Sequence, residues 1–269
     1  MNKRRFRFLS LYAGLFIVFL YGPTLLLPLF SFNDGVFAIF PLNGFTTKHY
    51  TTMASNTAMI EALYNSLAVA TFAAIVTTAL SLPLSIVLTR RLLPASDLLL
   101  STVMLPLVVP TIIFAVAFLI IIIKVLGMDL SLGAIAVAHV FVCLPFSVVV
   151  LMSALEGLDI SLEEASRDLG ETAFGTFRRV TLPLIMPAVV SSLLLCFISS
   201  FDEFVLSFFL SGTSPTLPVF LYGQLRFPNT LPSLLALGSV ILVVSSAVVV
   251  LAELIRQRWE ARLKALQGP

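Results

Sequence analysis

Asp202 and Glu203 stand side by side in the apolar run SSFDEFVLSFF, and they are the first residues whose type and place suggest chemistry. Ionised carboxylates at membrane depth are costly and normally face a cavity, a partner or a pathway. Adjacent helix positions point about 100° apart, so one acid can face a path while the other pairs. Two readings of the pair stand: wetted acids near an outer interface, or a patch that attracts cations on a translocation path. The other reactive side chains are few. His139 lies in an apolar run without an acidic or thiol neighbour in sequence and reads as a hydrogen-bonded packing residue, and His49 reads as solvated in a loop. Cys143 and Cys196 lie in apolar runs and read as small hydrophobes rather than a disulfide or metal pair. With two histidines and two cysteines, a zinc or transition-metal site is not expected. The chain has no G-x-x-x-x-G-K-[ST] and no Gly-Lys pair to cradle nucleotide phosphates. It also lacks G-x-S-x-G, which removes the signature of a serine hydrolase.

A second region is charged rather than apolar: EGLDISLEEASRDLGETAFGTFRRVTLP, residues 156–183. Ser161 with Glu164 three residues on is a capping box and predicts a helix from Leu162. Leu162, Ala165 and Leu169 fall on one face of it, and Gly170 supplies a left-handed stop. Thr172 is positioned to cap a second short helix, on which Phe174 and Phe177 share a face and Arg178 and Arg179 sit near the C-terminal end. Short helices with apolar edges need something to bury them: the protein's own helix ends, lipid headgroups, or a partner that takes a helix in a groove.

The elements that must hold these groups follow from composition. Of 269 residues 59% are hydrophobic and 11% charged, against about 25% charged in soluble domains. Mean hydropathy is +1.07. These values exclude a soluble enzyme, a disordered regulator and a nucleic-acid-binding domain. Charge-free windows at 8–33, 62–89, 98–123, 130–155, 180–225 (interrupted only by Asp202 and Glu203) and 227–252 each hold a span of roughly 20 residues. In the fifth, one helix is expected from Leu184 to Leu210, with Ser211 to Pro218 as loop. Placing the N-terminus inside puts 13 Lys and Arg inside and three (Lys48, Lys124, Arg226) outside, which predicts N-in, C-in and six spans. The first apolar stretch exceeds a signal peptide's core and is expected to stay as a helix. The expected organisation is a basic N-terminus at 1–7, one six-helix transmembrane domain at 8–255 and a basic tail at 256–269, where Trp259 and its arginines read as an interfacial anchor. Prolines at 23, 28, 83, 106, 110, 145 and 187 fit either ordinary membrane helices or a bundle that bends around a pathway.

Glu164-Ala165-Ser166, Gly170 and Val180-Thr181-Leu182-Pro183 carry the spacing of the EAA loop of ABC importer permeases, with Ser and Val replacing an Ala and an Ile. The sequence therefore resembles the binding-protein-dependent, type I (MetI-like) importer permeases. That resemblance implies an all-α membrane protein whose loop at 156–183 holds a coupling helix for a separate ATPase, with Leu162, Glu164, Ala165, Gly170 and Phe174 at the interface. It implies a non-enzymatic subunit without a cofactor of its own, ATP being bound by partners. Those partners are two ATPase subunits, a homologous second permease and an extracytoplasmic solute-binding protein, in the lipid of a bacterial inner membrane and with no nucleic acid. The Gly44–Tyr50 segment, Leu144-Pro145-Phe146 and the run from Phe201 to Gly212 are similar to the spermidine/putrescine importer permeases of the PotC type. That likeness implies a small polycation as cargo and places Phe201, Asp202 and Glu203 on its path. Permeases for ferric iron or aminoethylphosphonate are the alternatives. A proton-coupled secondary transporter using Asp202 or Glu203 is another, although no internal repeat joins residues 1–130 with 131–269.

Overall fold

The computed structural model describes residues 3–266, and side chains of residues 9–247 and Val250. The readings of the N-terminal basic cluster and of Trp259 with its arginines concern side chains outside the described residues. In chain order the helices are α1 (Lys3–Ser31), α2 (Lys48–Ser55), α3 (Thr57–Thr89), α4 (Ser96–Val103), α5 (Leu105–Val108), α6 (Thr111–Ile120), α7 (Leu132–Glu156), α8 (Ser161–Asp168), α9 (Ala173–Thr176), α10 (Leu182–Phe201), α11 (Val205–Leu210), α12 (Leu217–Gln224) and α13 (Leu231–Leu266). π turns follow α6 (Ile121–Val125) and α9 (Phe177–Thr181). Five stretches are long and apolar enough to cross a bilayer: Leu9–Ser31, Thr57–Thr89, Leu132–Glu156, Ala173–Phe201 and Pro228–Ala247, with Thr111–Val125 as a shorter sixth.

Two compact units divide the chain, Met1–Thr57 with Leu221–Pro269, and Ala58–Phe220. In the first, α1 and α2 pack on α13. Between α1 and α2, Asn33 accepts from the Asn43 amide at 2.8 Å and donates to the Phe37 carbonyl at 3.2 Å. His49 is buried rather than solvated, its Nε2 2.9 Å from the Asn33 carbonyl. Backbone bonds from Asp34 to the Gly44 carbonyl and from Thr46 to the Phe32 carbonyl, both in the same segment, add to these contacts, and none of them is announced by sequence spacing.

In the second unit, α7 packs along α10, and α6 and α7 pack on α11. The buried face of α3 carries small residues at helical spacing, among them Ser66, Ala70, Ala73, Thr77, Ser81 and Ser85. In lipid, helices gain little from hiding apolar surface, so close backbone approach and polar contacts hold them together instead, at roughly 0.6 kcal/mol per contact. The contacts are present. Ser192 of α10 bonds Thr78 at 3.0 Å and Ser147 of α7 at 2.6 Å. Thr77 and Ser85 donate to the α7 carbonyls of Val140 and Val148, both at 3.4 Å. Cys143 and Cys196 are buried free thiols, each donating weakly to the other's carbonyl at 3.7 and 3.8 Å.

Candidate functional site

Two spans that the sequence predicts as continuous are interrupted, and their breaks share one cavity. The window 98–123 is split into α4, α5 and α6. Val109 is extended (φ −86°, ψ 131°) before Pro110, because a proline ring clashes with a helical residue ahead of it and supplies no amide to continue the ladder. The predicted helix Leu184 to Leu210 is also broken. It starts earlier, runs to Phe201, stops at Asp202 and restarts as α11. The acids themselves explain that break. Glu203 turns its side chain onto the new helix, its Oε1 accepting from the amides of Val205 at 2.9 Å and Leu206 at 3.2 Å. Those amides have no partner within the helix, so a carboxylate there both caps α11 and meets its positive end. The chain after α11 stays irregular only through Thr216; α12 begins at Leu217, inside the stretch predicted as loop, with the Leu217 amide donating to Ser66 at 2.8 Å.

The shared cavity has a volume of about 550 Å³, and Val108, Pro110, His139, Ser199, Asp202 and Glu203 are among its lining residues. Asp202 is exposed and Glu203 half-buried. His139 is a hydrogen-bonded packing residue as the sequence suggests, 1% exposed. It has a place that sequence could not give: Nδ1 lies 2.7 Å from the Ser200 hydroxyl and Nε2 3.3 Å from that of Ser207, so α7 holds both sides of the α10–α11 break. Phe201 stacks on Phe197 at 6.0 Å and lies beside the cavity lining rather than in it. The arrangement can hold a small ligand between irregular backbone and one open carboxylate. Among the described residues no group of three or more His, Cys, Asp or Glu side chains comes together to hold a metal.

The second candidate region is α8 and its surroundings. The predicted capping box does not form. Asp159 caps instead, its carboxylate accepting from the Ser161 amide at 3.0 Å, so the helix starts one residue earlier than expected. That hydrogen bond holds the Asp159 carboxyl below its ordinary range. Gly170 adopts φ +89°, the left-handed stop the sequence calls for. Thr172 caps the following turn, accepting from the Gly175 amide at 3.1 Å. That turn is not a separate short helix, however: α9 continues through the π turn Phe177–Thr181 into α10.

Leu162, Glu164, Ala165, Gly170 and Phe174 are all exposed, Phe174 to 71%, and Leu169 and Ile160 extend the same apolar edge. The inner side of α8 is different. Ser166 is buried and 3.1 Å from the Thr176 hydroxyl. Glu163 accepts from Arg90 Nη2 and from the Thr181 hydroxyl, both at 3.0 Å, with Arg90 and Glu163 side chains only 17% and 13% exposed. Sequence reasoning passed over this ion pair because its partners stand 73 residues apart. The one available signal was that a basic pair ends the second span where an acidic pair opens the loop helix.

Residues 81–261 match the family described as "Binding-protein-dependent transport system inner membrane component". The chain is 33% identical to the spermidine/putrescine transport system permease protein PotC of Escherichia coli (strain K12), over 88% of this chain and 89% of that one. It is 34% identical to the putrescine transport system permease protein PotI of the same strain, over 83% and 82%. In structure it is similar to a chain of a bacterial ABC transporter involved in the import of the acidic polysaccharide alginate, with a TM-score of 0.72, 17% identity and 93% and 96% of the two chains covered. That last likeness speaks to the fold alone.

Proposed function

The chain belongs to the binding-protein-dependent transport system inner membrane components, and on that premise we propose that it forms half of the path by which an ATP-driven importer takes up a polyamine. It is a multi-pass inner-membrane permease of an ABC importer. The cavity at the two helix breaks carries the proposal. A small polycation needs a wetted path with negative charge that is available to it, and irregular backbone at membrane depth is tolerated only where it lines such a cavity or is buried in protein. Asp202 is the available charge, and Glu203, committed to α11, contributes its field and holds the break open. Phe201 supports the wall through Phe197. The relatives that transport spermidine and putrescine favour this cargo over ferric iron or aminoethylphosphonate.

Energy comes from outside the chain. The exposed edge of α8 and the start of α9, with Leu162, Glu164, Ala165, Gly170 and Phe174, is the seat of an ATPase subunit, which binds the ATP. Two such subunits, a second homologous permease and an extracytoplasmic binding protein complete the assembly. The test is ATP hydrolysis by the purified complex, reconstituted with its binding protein, across putrescine, spermidine, ferric iron and aminoethylphosphonate. Stimulation by a polyamine, reduced in Asp202→Asn, is the expected result; no stimulation by either polyamine overturns the cargo.

A further inference from the structure

We propose that Glu163 is a positioning residue that joins the ATPase-facing helix to α10, so that displacement of α8 reaches the cavity through the Glu163–Thr181 contact. The proposal rests on the reading of α8 as the ATPase seat. One carboxylate oxygen, Oε1 of Glu163, serves three elements at once. It belongs to α8, it takes Arg90 from the end of α3, and it takes the hydroxyl of Thr181. Thr181 is the last residue of the π turn and immediately precedes α10.

A π turn is a wide, uncommon backbone arrangement that recurs at functional places in helices. Here it lies between α9, which packs on α8, and α10, which packs on α7. Beyond it, α10 has 20 residues, a rod of about 30 Å. Its far end carries Ser200, which is bonded to His139, and stops at Asp202 on the cavity. The apolar edge that a partner would grip (Leu162, Leu169, Phe174) is exposed, whereas Glu163 is turned inward. A pull on the outer face is thus delivered to the base of α10 by the hydrogen bond from the Thr181 hydroxyl to a largely buried carboxylate, whose charge Arg90 balances. Arg90 keeps that carboxylate in place, because separating the pair would strand two charges in a poorly solvated site. The second tie from α8, Ser166 to Thr176, ends before the π turn and does not bypass it.

The experiment uses the assembled transporter with its partner permease and ATPase subunits in lipid nanodiscs. Cys143 and Cys196 are replaced by Ala, and spin labels are placed at Val108 and Ser199 across the cavity. The inter-label distance is read with and without ATP plus vanadate, and ATP turnover is measured on the same samples. The unsubstituted complex is expected to shift its distance. Glu163→Ala loses the shift while ATP turnover persists, and Glu163→Gln, whose amide oxygen still accepts from Thr181, keeps part of it. Thr181→Val, which leaves the ion pair intact, diminishes the shift without lowering abundance or ATP turnover. A full shift in both Glu163→Ala and Thr181→Val overturns the proposal. A full shift in Thr181→Val alone also overturns it, because the ion pair would then be only a structural pillar. Absence of ATP turnover in the unsubstituted complex overturns the ATPase-seat reading and the proposal with it, and is distinguished from the other results by that rate.

Discussion

Two pairs of adjacent carboxylates, Glu163–Glu164 at the loop helix and Asp202–Glu203 at the cavity, solve one problem in two settings. In each pair one acid is built into the scaffold and the other is left open. Glu163 is locked by Arg90 and Thr181, and Glu164 is exposed. Glu203 caps α11, and Asp202 faces the cavity. The order is reversed, the structural acid coming first at the loop and last at the cavity, because it depends on which position meets the protein. On α8 neighbouring positions diverge by about 100°, and at the cavity the chain turns between α10 and α11, so adjacent acids are assigned different work by geometry alone. The difference between the regions lies in what holds the structural acid. At the loop it is an opposite charge; at the cavity it is unpaired backbone amides. An ion pair out of water is costly to break, whereas a cap is worth less.

That difference orders the expected effects. Glu163→Ala strands Arg90 in a poorly solvated site and should lower the stability of the solubilised chain by about 3 kcal/mol, measured by thermal unfolding. Glu164→Ala should leave stability within about 0.5 kcal/mol, as surface changes do, and abolish uptake. If the two variants behave alike, the division of labour at the loop is wrong. Glu203→Ala removes a cap and should cost about 1 kcal/mol. Asp202→Asn should leave unfolding unchanged and lower polyamine uptake by about tenfold, the effect of losing about 1.4 kcal/mol of interaction. Stability loss in Asp202→Asn equal to that in Glu203→Ala would break the comparison at the cavity.

Gly170→Ala forces a side chain into the left-handed region at φ +89° and should cost about 1 kcal/mol, read by the same unfolding measurement. Uptake should fall further than stability does, because the turn sets the angle between α8 and α9. The smallest effect belongs to Asp159. Its carboxyl is held below the ordinary range by the Ser161 amide, so the ionised form favours the folded start of α8. That contribution is present above the unfolded carboxylate's range and is lost as pH falls through the lowered folded value. Hydrogen exchange at the α8 amides should therefore approach that of Asp159→Asn as the medium is acidified, with the two differing only at higher pH.

Much of this was legible in the residues. Four of the five long spans follow the charge-free windows closely, since a bilayer demands apolar length and little else, whereas Ala173–Phe201 runs through Arg178 and Arg179 before its window begins. Gly170 and Thr172 behave as their side chains require. The failures are local and physical. The Ser161 capping box lost to Asp159, a competing acceptor two residues earlier. The predicted helix through Asp202 ignored that a carboxylate can reward a helix for restarting. His49 was read as solvated because a backbone carbonyl from another turn is invisible in composition. The window 98–123 held its warning in Pro106 and Pro110, but prolines at 23, 28, 83, 145 and 187 sit inside unbroken helices, so proline alone does not decide.

The sequence by itself determined that the chain lies in a membrane, which loop is charged and carries short helices with apolar edges, and which few charges are worth attention, because hydropathy, sidedness and short-range caps act over one or two turns of chain. Only the tertiary structure decided which acid of each pair is free. It alone brought the breaks near Pro110 and Asp202 to one cavity, with His139 joining both sides of the second. At the loop and at His139 those decisions depend on partners 61 to 73 residues away, Arg90 for Glu163 and Ser200 and Ser207 for His139, whereas Glu203 caps amides two and three residues on. Contacts of that range are fixed by how helices pack, and no local spacing encodes them.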